Sequence, residues 1–123
     1  MKRGFTLIEI LAVLVIVAIL AGLAFARLQT SKDRAAVATM TSDLRAISEE
    51  QEAYYFINRI YTTDLVALNA RLSPGNVLTI HEATTSGWAG SVANPRVSQQ
   101  CYIVVGTATP VGSATADAGI NCS

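Results

Sequence analysis

Few residues in this 123-residue chain are of a type and spacing that could carry covalent chemistry. His81 is the one histidine, so any serine–histidine–acid triad would have to use it, and no serine sits in a nucleophile-elbow context. Asp64, Glu82 and Asp117 stand apart from one another, with no acidic loop spaced for calcium. No glycine-rich phosphate loop occurs. The reading is therefore of a non-enzyme with no cofactor and no metal. Two cysteines remain, Cys101 and Cys122. An exported domain would pair them, whereas a redox pair would call for a Cys-x-x-Cys spacing that is absent. A Cys101–Cys122 bridge would close about 20 residues and contribute roughly 3 kcal/mol.

The other chemically distinctive side chain is Glu9. From Phe5 to Ala26 it is the only charged residue in an apolar run. As a helix that run rises about 33 Å, enough to cross a hydrocarbon core of about 30 Å. An acid at the centre of such a helix costs about 2.5–3.5 kcal/mol on insertion scales, and less near the edge. A segment that needed only hydrophobicity would gain nothing from it. Lys2 and Arg3 precede the run, so the positive-inside rule keeps the N-terminus cytoplasmic and sends the rest of the chain across. A simpler alternative is a secretory signal peptide with Lys2 and Arg3 as its basic region, cut at the small-x-small sequence ending at Ala26.

The order Gly4-Phe5-Thr6-Leu7-Ile8-Glu9, behind the short basic leader Met1-Lys2-Arg3 and ahead of the apolar run, resembles the prepilin signature of type IV pilins and pseudopilins. The resemblance implies that a prepilin peptidase cuts between Gly4 and Phe5 and that the new Phe5 amine is N-methylated. It also implies that the apolar helix is kept as anchor and assembly element. Glu9 then has a purpose. The exposed α-amine has a reference pKa near 8 and is largely cationic at neutral pH. Glu9 of one subunit pairing with the Phe5 amine of a neighbour would neutralise both in a low-dielectric bundle and fix the axial register.

These residues need particular elements to position them. Val37, Met40, Leu44, Ile47, Gln51 and Tyr54 recur at intervals of three and four, an amphipathic helical stripe. No proline occurs before Pro74, so a nearly continuous helix is expected from about Phe5 to Ile57. Many members of the family carry a proline near the position of Ala26. This chain has none, and Gly22 is the one interior helix breaker. Tyr54 to Thr62 resembles the family's helix-to-loop junction. Asp64 to Leu68 reads as a helical turn, and Ser73-Pro74-Gly75-Asn76 as a tight turn. Residues 77–83, 88–93 and 101–105 read as strands. The small residues after Gly106 read as a loop that buries little.

The expected fold is α+β: a long N-terminal helix packed on an antiparallel sheet of three or four strands. Its parts are a leader (1–4), a membrane and assembly half of the helix (5–27), an amphipathic half (28–58), a connector (59–76), and a sheet with a disulfide-closed C-terminal loop (77–123). Nine basic side chains balance nine acidic ones, which gives no nucleic-acid signal. The resemblance implies a homopolymer in a type IV pilus or related filament, serving adhesion, motility or DNA uptake. Implied partners are the prepilin peptidase, an inner-membrane assembly machinery, minor pilins and the membrane itself. The implied location is the cytoplasmic membrane first and a surface filament or periplasmic pseudopilus later. A pseudopilin of type II secretion is the nearest alternative, and a secreted binding module the more remote one.

Overall fold

The computed structural model describes residues 4–115 and 117–123. Lys2 and Arg3, the basic part of the expected leader, lie outside the described residues.

One uninterrupted helix, α1 (Leu7–Asn58), occupies the N-terminal half. It opens at Thr6, whose carbonyl accepts the Ile10 N–H at 3.3 Å. Its far end is marked by Arg59, which takes a left-handed backbone (φ 59°) and donates its N–H to the Tyr55 carbonyl at 2.8 Å. Such a residue satisfies a carbonyl that the helix end would otherwise leave open.

The chain divides into two compact units, one ending at Lys32 and one running from Asp33 to Ser123. In the first, apolar side chains are exposed all round the helix; Leu11, Ile16, Leu20 and Phe25 are each at least half exposed. In the second, the helix has one buried stripe. Met40, Leu44, Ile47 and Gln51 are buried, and Val37 and Tyr54 are half-buried beside them, as their spacing predicts.

That stripe lies on a four-stranded antiparallel sheet in the order β1 (Val77–Ala83), β2 (Gly87–Ala93), β3 (Gln100–Gly106) and β4 (Ile120–Cys122). The core between helix and sheet holds Met40, Leu44, Ile47, Leu68, Leu78, Trp88, Val92, Cys101 and Ile103. Trp88 is its largest member and is fully buried. This cluster joins the helix to the sheet.

Strand β1 carries a bulge. Its pairing with β2 shifts between Ile80 and Glu82, leaving His81 as the extra residue. Strict alternation would have turned Glu82 toward the core, because side chains two apart share a face. The bulge restores Ala83 to the core side, opposite Trp88, and sets Glu82 opposite Ala89 on the other face. An extra residue of this kind re-aims everything after it.

Residues 107–115 and 117–119 correct the expectation of a segment that buries little. They cover the sheet face away from the helix, where Ala108 and Ala114 are buried against Ala89 and Val104. Small residues serve here because the clearance is short. Gly112 has φ +56°, and a Cβ there would stand 2.6 Å from the Tyr102 ring. The chain that follows it forms β4, within the part expected as a disulfide-closed loop.

Candidate functional site

The first candidate site is the start of α1. Gly4 has open space around it, since a Cβ there would meet nothing within 4 Å, and Phe5 is 84% exposed. Both positions of the expected cleavage site are therefore accessible in the chain. Thr6 and Glu9 form a reciprocal pair. The Thr6 N–H and hydroxyl donate to Glu9 Oε2 at 3.0 and 3.2 Å, and the Glu9 N–H donates to Thr6 Oγ1 at 3.3 Å. This is a capping box, in which residues three apart satisfy each other's free backbone donors at a helix start. An acid in the first turn also faces the positive end of the helix dipole. The sequence reading took Glu9 as a residue awaiting a partner from outside. In the single chain it already has one inside, and the signal that could have revealed it is the Thr-x-x-Glu spacing itself.

In the second unit, the structure pairs Cys101 with Cys122. The two are cross-strand neighbours in β3 and β4. Thr41 of α1 reaches both sulfurs, with Oγ1 3.8 Å from Cys101 Sγ and 3.6 Å from Cys122 Sγ. The bridge thus fastens the end of the 107–119 cover under the helix.

Two polar side chains of α1 clamp the connector, Gln51 from the predicted buried stripe and Asp43 from outside it. Asp43, which lies off the three-four spacing of that stripe, is 6% exposed. It accepts the Ser73 N–H and hydroxyl, each at 2.8 Å, and the Asn76 side-chain amide at 2.7 Å. Asn76 in turn accepts from Asn94 at 2.7 Å. A buried carboxylate is tolerable when its lone pairs are met in this way. Gln51 binds Thr62 from both ends of its amide, donating to the carbonyl at 2.7 Å and accepting the N–H at 3.1 Å.

Among the described residues, the titratable groups show no arrangement for catalysis. His81 Nε2 lies 2.8 Å from Ser91 Oγ, but Ser91 is buried and so closed to a substrate. Glu82 accepts the Thr109 N–H at 2.8 Å, and this bond holds its carboxyl below the usual carboxylate range. Asp117 accepts the Gly106 N–H. Both carboxylates serve to anchor the C-terminal cover. Tyr61, stacked on Tyr55 at 4.6 Å, donates its hydroxyl to Glu52 at 2.9 Å. Burial first, and then the Glu52 bond and charge, push its phenol up to about 12. No group of three or more His, Cys, Asp or Glu side chains converges on a metal position among the described residues.

Residues 1–25 match the model of the prokaryotic N-terminal methylation motif. The start of this chain is of the prepilin type. The matched residues include the capping box at Thr6 and Glu9 and most of the exposed apolar run. Similarity extends further along the chain to curated proteins of two kinds. The type IV wide pilus major component PilA4 of Thermus thermophilus is 37% identical over 78 residues, which cover 61% of this chain and 60% of that protein. The type II secretion system core protein G of Klebsiella michiganensis is 37% identical over 76 residues, covering 62% of this chain and 54% of that protein. Its counterpart in Klebsiella pneumoniae is 38% identical over 72 residues, 58% of this chain and 51% of that protein. The chain thus spans between half and three-fifths of the length of these relatives. The pilin-like α+β arrangement expected from the sequence, a long N-terminal helix on a small antiparallel sheet, is the one present.

Proposed function

We propose that the chain is a structural subunit of a type IV pilus or related filament, polymerising through α1 after cleavage between Gly4 and Phe5. One observation carries the reading: the prepilin-type start leads into a helix whose apolar half is exposed on every side. A helix apolar all round needs lipid or other helices about it. It is long and apolar enough to cross a membrane, which serves the subunit before assembly. In the polymer, copies of the same helix replace the lipid.

On this reading the Phe5 amine, N-methylated after cleavage, pairs with Glu9 of a neighbour. The capping box supplies the mechanism of readiness. Thr6 engages Oε2 of Glu9, so the carboxylate is satisfied in the single chain and is already held at the helix start when an amine arrives. An unpaired charge in apolar surroundings is far more costly than a paired one, so subunits out of register are disfavoured. The prepilin peptidase, the inner-membrane assembly machinery and minor pilins are the partners this route requires. Adhesion, motility or DNA uptake would belong to the exposed heads.

A type II secretion pseudopilin is the second reading, favoured by the similarity to core protein G in several bacteria. It shares the helix chemistry and differs in where the filament ends. The map of neighbouring genes separates the two. The common claim is tested by Glu9→Leu in the producing cell. Polymer in the sheared or periplasmic fraction should fall at least tenfold while membrane-inserted subunit persists. Unchanged polymer would remove the register role of Glu9.

A further inference from the structure

The soluble half of α1 carries exposed charge in a segregated order that the Phe5–Glu9 contact does not use. Within the unit from Asp33 to Ser123, Arg34 is exposed at the beginning of the helical segment, and Glu49 and Glu50 are exposed near its end. Glu52 is exposed as well and accepts the Tyr61 hydroxyl. The chain's own cations close to these acids are Arg45, which lines a groove with Glu49, and Arg71, which lines another with Glu50. Lys32 and Asp33 precede Arg34 in the sequence.

Parallel copies packed without an axial shift would set Glu49 and Glu50 against their own counterparts. Like charges at such spacing repel. Sixteen residues separate Arg34 from Glu50, about 24 Å of helix at 1.5 Å per residue. A shift of that size brings Arg34 of one copy level with the acids of the next. Sixteen residues is also about 4.4 turns, so Arg34 and Glu50 project toward nearly opposite sides. One copy then offers its arginine to a neighbour on one side and Glu50 to a neighbour on the other, while Glu49, fifteen residues on, lies about 60° from Arg34. Contacts of this heterologous kind repeat without closing.

We propose that a second copy of this chain docks along α1 with Arg34 against Glu50, at an axial stagger of about 24 Å. This contact rests on the filament reading and adds a second register to it, between subunits farther apart along the axis than those joined at Phe5 and Glu9. Guanidinium suits it, because its fork can bridge two carboxylate oxygens. A single exposed pair contributes little, but repetition along a polymer multiplies its effect on assembly.

The test is a charge swap in the full-length chain, with polymer measured in the producing cell and head folding checked by thermal unfolding of the detergent-solubilised subunit. Arg34→Glu and Glu50→Arg should each lower polymer by about fivefold with unfolding unchanged. The double variant Arg34→Glu/Glu50→Arg should recover to within about twofold of wild type. Polymer from both single variants at the wild-type level, or a double variant no better than either single one, would overturn the contact while leaving the filament reading intact. Failure of the wild-type chain itself to polymerise would overturn both.

Discussion

Asp43 shows how much one carboxylate can organise. It lies on the helix and binds a turn thirty residues later in the sequence through three hydrogen bonds. Replacing it with alanine would strand the Ser73 N–H without an acceptor and leave the Asn76 amide only its longer bond to Thr39 Oγ1 at 3.3 Å. Asp43→Ala should therefore cost about 2–4 kcal/mol, read as a lower denaturant midpoint for the full chain in detergent. Glu82 acts through a different balance. Its folded-state pKa is depressed by the Thr109 N–H, so its contribution is present above the ordinary carboxylate pKa and is lost as pH falls through the depressed value. Exchange protection of the Thr109 amide should drop with acidification over that range, and Glu82→Gln should remove the pH dependence. Tyr61 has the opposite sign. Its raised pKa favours the neutral phenol, so its stabilisation is full below pH 10 and is lost as pH rises through about 12. Its ultraviolet titration should lag behind that of an ordinary tyrosine, and Glu52→Gln should narrow the lag.

At the scale of elements, the helix was legible because its evidence is local. The three-four spacing from Val37 to Tyr54 needs no knowledge of the sheet, and those residues do line the interface. Asp43 was not legible, since its burial is set by Ser73 and Asn76, whose approach is a tertiary event. The β1 bulge was hidden for a similar reason. The run from Val77 to Ala83 alternates only in part, and nothing within it reveals that His81 is the extra residue until β2 is alongside. The Gly- and Ala-rich segment after Gly106 misled in the other direction. Small side chains bury little area each, which reads as a loop, yet smallness is what lets Gly112 lie on the Tyr102 ring. Gly106 takes φ +66°, and a Cβ there would run into the Ser86 carbonyl. Gly106→Val should accordingly cost about 1–3 kcal/mol and loosen the cover, seen as faster amide exchange across residues 107–119. Opening the Cys101–Cys122 bridge with Cys101→Ser/Cys122→Ser should lower stability by roughly 3 kcal/mol and release β4 from β3 in the same measurement.

For the molecule as a whole, the two units of the chain face different demands. The unit from Asp33 onward finds most of its partners within itself: its apolar stripe has a sheet, its buried acid has donors, and its cysteines have each other. The unit ending at Lys32 does not, because its apolar surface is exposed throughout. The prepilin-type start supplies the reason for that asymmetry. A segment discarded by a signal peptidase at Ala26 would need neither the capping box at Thr6 and Glu9 nor an acid of any kind. The account therefore stands on the apolar helix being retained in the mature protein. Mass spectrometry with N-terminal sequencing of the protein recovered from assembled material tests this most directly. A mature chain beginning at Phe5, with its amine methylated, is the expected result. A chain beginning at Arg27 would contradict it.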